Sequence, residues 1–177
     1  MFYVGIIIIC VVGTLLHFTY ELSHHNKYVA IFSAVNESTW EHIKICMTPT
    51  ILWSIYEIVV YGFSGKFLVA KCLSLLTIIV LIPVLFYSYV VFTKRSILFI
   101  DVICFYVTVT CSQLVFRYFI NLGSVSNIGI YFSIIMLVIE MVSYFYLTFN
   151  PFINFIFKDP ITHKYGLDGH PCSHHHH

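Results

Sequence analysis

The sequence predicts an all-α polytopic membrane protein. About five transmembrane helices form one bundle, with a short interfacial or re-entrant segment between the first two. Three observations carry this reading. Hydrophobic residues make up 59% of the 177 and charged residues only 10%, against about 25% charged in ordinary soluble domains. The mean hydropathy is +0.90. The apolar residues also fall in five runs, each long enough to cross about 30 Å of hydrocarbon, which takes roughly 20 helical residues.

The first span covers about Phe2–Tyr20. No cluster of positive charge precedes it and no small-x-small cleavage site follows, so it reads as a retained span, not a signal peptide. Lys27–Val35 is too short to cross and reads as the interfacial or re-entrant piece. The second span starts near Glu37 and ends near Phe63. The third, Phe67–Thr93, contains Pro83, which should kink it unless neighbours satisfy the freed carbonyl. The fourth covers Ile97–Ile120, and the fifth covers Asn127–Phe149, ended by Asn150-Pro151. With no internal repeat and no long linker, residues 1–157 read as one transmembrane domain and 158–177 as a cytoplasmic His-rich tail.

Loop charge sets the expected orientation. Lys27, Lys44, Lys94, Arg95, Lys158 and Lys164 fall on one side, against Lys66, Arg117 and Lys71 on the other. The N-terminus is therefore expected outside and the C-terminus in the cytoplasm. The formal net charge of +1 gives no basic field, which excludes nucleic acid as a partner. The lipid bilayer is the expected partner, and homo-oligomerisation stays open. Six scattered Cys, with no CxxC, read as small core residues.

In so apolar a chain the ionisable residues are informative. Glu57 and Glu140 lie inside spans, where a carboxylate costs several kcal/mol and so pairs, protonates or serves a pathway. Glu57 is expected to pair with Arg117 or Lys71, most simply between spans two and four. Glu140 has no evident partner, so a protonated carboxyl bonded to a neighbouring helix is expected. His17 and Glu21 are spaced i,i+4 and share a face at the end of span one. Glu37/Glu41 and Ser38/His42 repeat that spacing at the start of span two, and Asp101 starts span four from the same side.

Imidazoles and carboxylates converging at one depth suit Zn, or Mn or Fe. The candidate metal ligands are His17, Glu21, His42 and Asp101, with Glu37, Glu41 and Ser38 as candidate catalytic groups. A structural alternative stays open. Ser38-x-x-Glu41 matches a capping box, and Glu41–Lys44 is an ordinary i,i+3 pair. In the tail, His163, His170, Cys172 and His174–His177 read as a native flexible chelator, with a purification tag as the alternative.

Asn36-Glu37-Ser38-Thr39-Trp40-Glu41-His42-Ile43-Lys44, with Pro49 after it and His17 and Glu21 before it, resembles an uncharacterised family of small bacterial multi-pass membrane proteins. The shared motif reads NES-x-WEH-x-K. The resemblance implies an inner-membrane location and no particular activity. More loosely, Ser38-x-x-x-His42 is similar to one piece of the zinc site of the alkaline ceramidase-type membrane hydrolases. Those proteins have more spans and an HxxxH pair absent here, so this likeness implies a reaction class alone.

Three functions compete on these residues. The first is a metal-dependent hydrolase of a lipid or lipid-linked substrate at the inner interface. The second is a small metal or proton-coupled transporter, which requires a connected polar route through Glu57 and Glu140. The third is a non-enzymatic membrane scaffold that docks a partner through the motif.

Overall fold

A computed structural model of the chain describes residues 2–169. His170, Cys172 and His174–His177 of the expected chelator lie outside the described residues. The architecture is all-α, with five helices long and apolar enough to cross a membrane: α1 (Phe2–Leu22), α2 (Thr39–Tyr61), α3 (Gly65–Thr93), α4 (Leu98–Ile120) and α5 (Asn127–Phe149). Their apolar outer faces are exposed, as a lipid-facing surface requires. Cys10, Cys46, Cys72, Cys104 and Cys111 are free thiols.

Local chemistry explains the helix ends. Gly62 stops α2 at φ +76°, a region glycine reaches without steric cost. Ser64 then caps α3, its side chain accepting from the Phe67 N–H at 3.3 Å. The second span differs from expectation, because the helix starts at Thr39 and not near Glu37. Ser38 occupies the N-cap position, yet its side chain makes no cap hydrogen bond. Glu41 instead accepts from the Val35 N–H at 3.0 Å and pairs with Lys44 at 2.8 Å. The capping box is thus replaced by a buried ion pair that reaches into the preceding loop.

That loop enters the bundle. It carries a single 3-10 turn, Val29–Ile31, and Ala30, Ser33 and Val35 are buried. Non-helical backbone survives at such a site only if its polar groups find partners. Here consecutive carbonyls do. Lys44 donates to the Ala30 oxygen at 2.7 Å, Tyr144 donates to the Ile31 oxygen at 2.7 Å, and the Thr48 hydroxyl reaches the Phe32 oxygen at 3.1 Å. The Ser33 hydroxyl bridges one turn of α1, accepting from the Tyr20 N–H at 2.9 Å and donating to the Leu16 carbonyl at 2.5 Å. Helices α1, α2 and α5 therefore grip the loop from three sides.

The far half of the bundle is closed by a different pair. Glu57 bonds Lys71 at 2.5 Å, linking α2 to α3, not α2 to α4. Arg117 instead lies over the Phe2 ring, 4.8 Å from its centroid. Beside the pair, the Ser74 and Ser112 hydroxyls meet at 2.7 Å, joining α3 to α4. Glu140 differs from expectation too. It is buried, and neither carboxyl oxygen has a hydrogen-bond partner among the described residues.

Candidate functional site

Two helices approach closely because of two residues that suit no ordinary packed helix. Pro49 lacks the N–H that would bond the Ile45 carbonyl one turn earlier. Gly13 of α1 fits against that carbonyl, and a Cβ at Gly13 would lie 2.7 Å from it. Small residues permit this kind of backbone approach between membrane helices. His17 lies one turn beyond Gly13 on the same face, and His42 lies three residues before Ile45. The contact thereby sets the two imidazoles side by side, with ring centroids 6.0 Å apart.

Glu37 completes the group. Because it precedes the helix, its side chain is free of the Glu41 stripe. Its carboxylate lies 3.7 Å from His17 Nε2 and 3.9 Å from His42 Nε2. Among the described residues, His17, Glu37 and His42 form the group that could hold a metal ion, with one donor atom from each within 4.8 Å of the others. Donors around a tetrahedral zinc at about 2.0–2.1 Å are about 3.4 Å apart, so the three side chains would draw together by up to about 1.4 Å on binding. His42 Nδ1 lies 3.0 Å from the Ser38 carbonyl. A carbonyl only accepts, so that nitrogen carries the proton and Nε2 presents its lone pair to the group. Metal-binding histidines are commonly oriented in this way.

Contacts account for most of the NES-x-WEH-x-K stretch, although the buried Trp40 indole N–H has no hydrogen-bond partner among the described residues. The Asn36 side chain accepts from the Ser38 N–H at 2.8 Å, an Asx turn, and donates to the Gly166 carbonyl at 2.8 Å. The Glu37 N–H donates to Asp159 Oδ1 at 3.0 Å, which pins its backbone while leaving its side chain to the histidines. Thr39 meets the Tyr87 hydroxyl at 3.0 Å. The Trp40 N–H donates to the Ile156 carbonyl at 3.0 Å, and its ring packs on Phe157 at 5.0 Å. Glu41 and Lys44 hold the loop, and Ile43 is core.

Residues 156–169, which include all of the described part of the expected tail, thus pack on the motif through Ile156, Phe157, Asp159 and Gly166. Asp159 organises them. It is fully buried, and its other oxygen accepts from the Thr162 N–H at 2.5 Å and the Thr162 hydroxyl at 2.6 Å. Asp159 was not singled out from sequence. The available signal was the Asp-Pro-x-Thr pattern, which favours a side-chain-capped turn.

The other candidates take different places. Glu21 is exposed on the last turn of α1, just before the chain reverses through His24 and His25 at positive φ. It is outside the three-donor group. Glu41 is 2% exposed and committed to Lys44, which leaves it no access to a substrate. Ser38 contributes its carbonyl, not its hydroxyl, to His42. Asp101 is also outside the group but lines a small cavity of about 50 Å³ together with His17 and His42. Hydroxyls from Tyr89 at 2.5 Å and Ser96 at 2.6 Å hold its two oxygens.

The site opens into a cleft of about 710 Å³ that reaches His17, Glu37 and Asp101 between the ends of α3 and α4 and the C-terminal segment. That volume lies within the range of small-molecule sites, about 300–1,000 Å³. Three protein donors, two of them (His17 and Glu37) lining the cleft and His42 behind them on the small cavity, resemble catalytic zinc sites more than closed four-ligand structural ones. No curated protein and no solved structure matches the chain. A family described as a family of unknown function, DUF6512, matches it over residues 1–167, and the chain belongs to that family.

Proposed function

We propose that the protein is a metal-dependent hydrolase acting on a lipid or lipid-linked substrate at the membrane interface. The observation that carries this reading is the His17–Glu37–His42 group at the foot of an open cleft. Two imidazoles and one carboxylate with open positions are the donor set of hydrolytic zinc sites and equally of non-haem iron(II), so zinc is taken for the hydrolytic reading, with iron or manganese as the alternatives. Held by His17, Glu37 and His42, a zinc ion would supply a Lewis acid and would make water a better nucleophile near neutral pH. Asp101 is the proposed proton acceptor, since Glu37 serves as a ligand and Glu41 is sealed. One water is consumed. Its oxygen bonds to the electrophilic carbon or phosphorus, the bond to the leaving heteroatom breaks, and the water's proton passes through Asp101 to that leaving atom.

The transporter reading needs a connected polar route, and the far half gives it little support. Glu57 is bonded to Lys71, and the cavity beside it has about 20 Å³, about the size of one water. Ile9, Cys46, Ile78 and Val109 are fully buried at heights between the two ends.

Zinc uptake into proteoliposomes and product release from a panel of ester, amide and phosphoester lipids separate these readings. The expected results are no zinc flux and hydrolysis of at least one lipid class. Asp101→Asn should retain zinc and lose about 100-fold or more of the rate, within the range for a general base. Flux without hydrolysis would put the transporter first.

The proposed orientation places the site on the cytoplasmic face of an inner membrane, with the N-terminus outside. Lys44 and Lys71 are paired in the interior, so the bias rests on the loop cations. In intact cells, a Ser96→Cys variant should resist an impermeant thiol reagent and react only after lysis. Ready labelling without lysis would reverse the orientation.

A further inference from the structure

The cleft has chemistry that the metal group does not use. Lys94, Arg95 and Lys158 line it and are exposed. Among the described residues none of the three forms a salt bridge. They come from two places. Lys94 and Arg95 follow α3, with Lys94 at the left-handed C-cap position, and Lys158 precedes the Asp159 turn. Of the two carboxylates in the cleft, Glu37 faces the imidazoles, and Asp101 is held by the Tyr89 and Ser96 hydroxyls. The three cations are thus held by neither carboxylate, and the lining, with three cations against two carboxylates, keeps a net positive charge to offer to whatever enters.

The wall beside the cations is apolar. Phe86, Val90, Leu98 and Phe155 line it. Leu98 is also 71% exposed, and Phe92 and Phe99, at the facing ends of α3 and α4 in the chain, are 85% and 74% exposed. The cleft is thus continuous with the surface that faces lipid. At 29 residues, α3 is about 43 Å long at 1.5 Å per residue, more than the hydrocarbon core of about 30 Å. That leaves enough length for its end and the cations after it to reach headgroup depth.

We infer that this cleft takes the headgroup of a net-anionic phospholipid, entering sideways from the bilayer. Lys94, Arg95 and Lys158 hold the phosphate, and the apolar wall takes the start of the acyl chain. Basic side chains at headgroup depth attract anionic lipids, and Arg matches phosphate oxygens bidentately. The inference rests on the proposed function in taking this cleft as the substrate site, and it names the substrate class for it.

The test is binding of a fluorescent phosphatidic acid to the full-length protein in neutral detergent, followed by anisotropy, with zinc content measured on the same samples. Saturable binding is expected, displaced by unlabelled phosphatidic acid and not by phosphatidylcholine. The exposed double variant Arg95→Ala/Lys158→Ala should bind about tenfold more weakly or worse, and Arg95→Lys should recover part of any Arg95→Ala loss. Equal displacement by phosphatidylcholine, unchanged affinity in the double variant, or displacement by inorganic phosphate at lipid-like concentrations would each overturn the inference. Zinc-loaded wild type that fails to bind phosphatidic acid would remove the inference and leave the metal reading standing. Saturable phosphatidic acid binding by wild-type protein that carries no zinc and takes up none when it is added would do the reverse.

Discussion

Purified without chelators and with residues 170–177 removed, the protein is expected to carry close to one zinc per chain. His17→Ala, Glu37→Ala and His42→Ala should each lose most of it, while Glu21→Ala should keep it. The truncation matters because the terminal His run would bind zinc by itself and hide the result. Each of the three variants removes one donor from a group spanning no more than 4.8 Å. The loss should exceed the about 10–100-fold that removal of an outer-shell partner costs. Retention in Glu21→Ala is the discriminating control, since Glu21 shares the His17 face by spacing but is exposed and lies outside the group. Mass spectrometry of metal content decides the matter. Truncated wild type that carries no metal and binds neither added zinc nor manganese would end the metal reading. The motif would then be a clamp for the loop and the C-terminal segment, and the scaffold function would come first.

What could be read from sequence follows from how each signal is encoded. The five spans are written in composition and run length, and α5 begins and ends where the apolar run does. The convergence of His17 with His42 was also legible, because both sit at span ends on one side. The role of Glu37 was not. Spacing put it on a helical stripe with Glu41, but the helix begins two residues later, so the two carboxylates point to different tasks. Periodicity carries that information only when the helix start is known, and here the start is set by tertiary contacts. Asn36 bonds Gly166, and the Glu37 backbone bonds Asp159. Both partners are more than a hundred residues away, and no local rule reaches them. The same holds for Gly13, whose importance depends on the carbonyl that Pro49 frees in another helix.

The largest expected loss of stability comes from Lys44→Met. Lys44 is fully buried and Glu41 is 2% exposed, at 2.8 Å from each other. Removing the ammonium leaves a buried carboxylate without its counter-charge and the Ala30 carbonyl without its donor. Breaking a buried pair from one side costs about 3–5 kcal/mol, which for a chain of this size lowers Tm on the order of 10 °C. The double variant Glu41→Gln/Lys44→Met removes both charges, and its glutamine amide keeps an oxygen for the Val35 N–H. It should recover at least half of the loss, because an absent pair costs far less than a broken one. Zinc content measured alongside tests the link to function. The loop that Lys44 holds leads directly into Asn36 and Glu37, so the single variant should also bind zinc more weakly, while Glu57→Gln, at the far pair, should not. A Lys44→Met protein with unchanged Tm in detergent would show that the loop is held by Tyr144, Thr48 and Ser33 without the ion pair. A lower Tm with full zinc occupancy would show instead that the Asp159 and Gly166 contacts alone position Glu37.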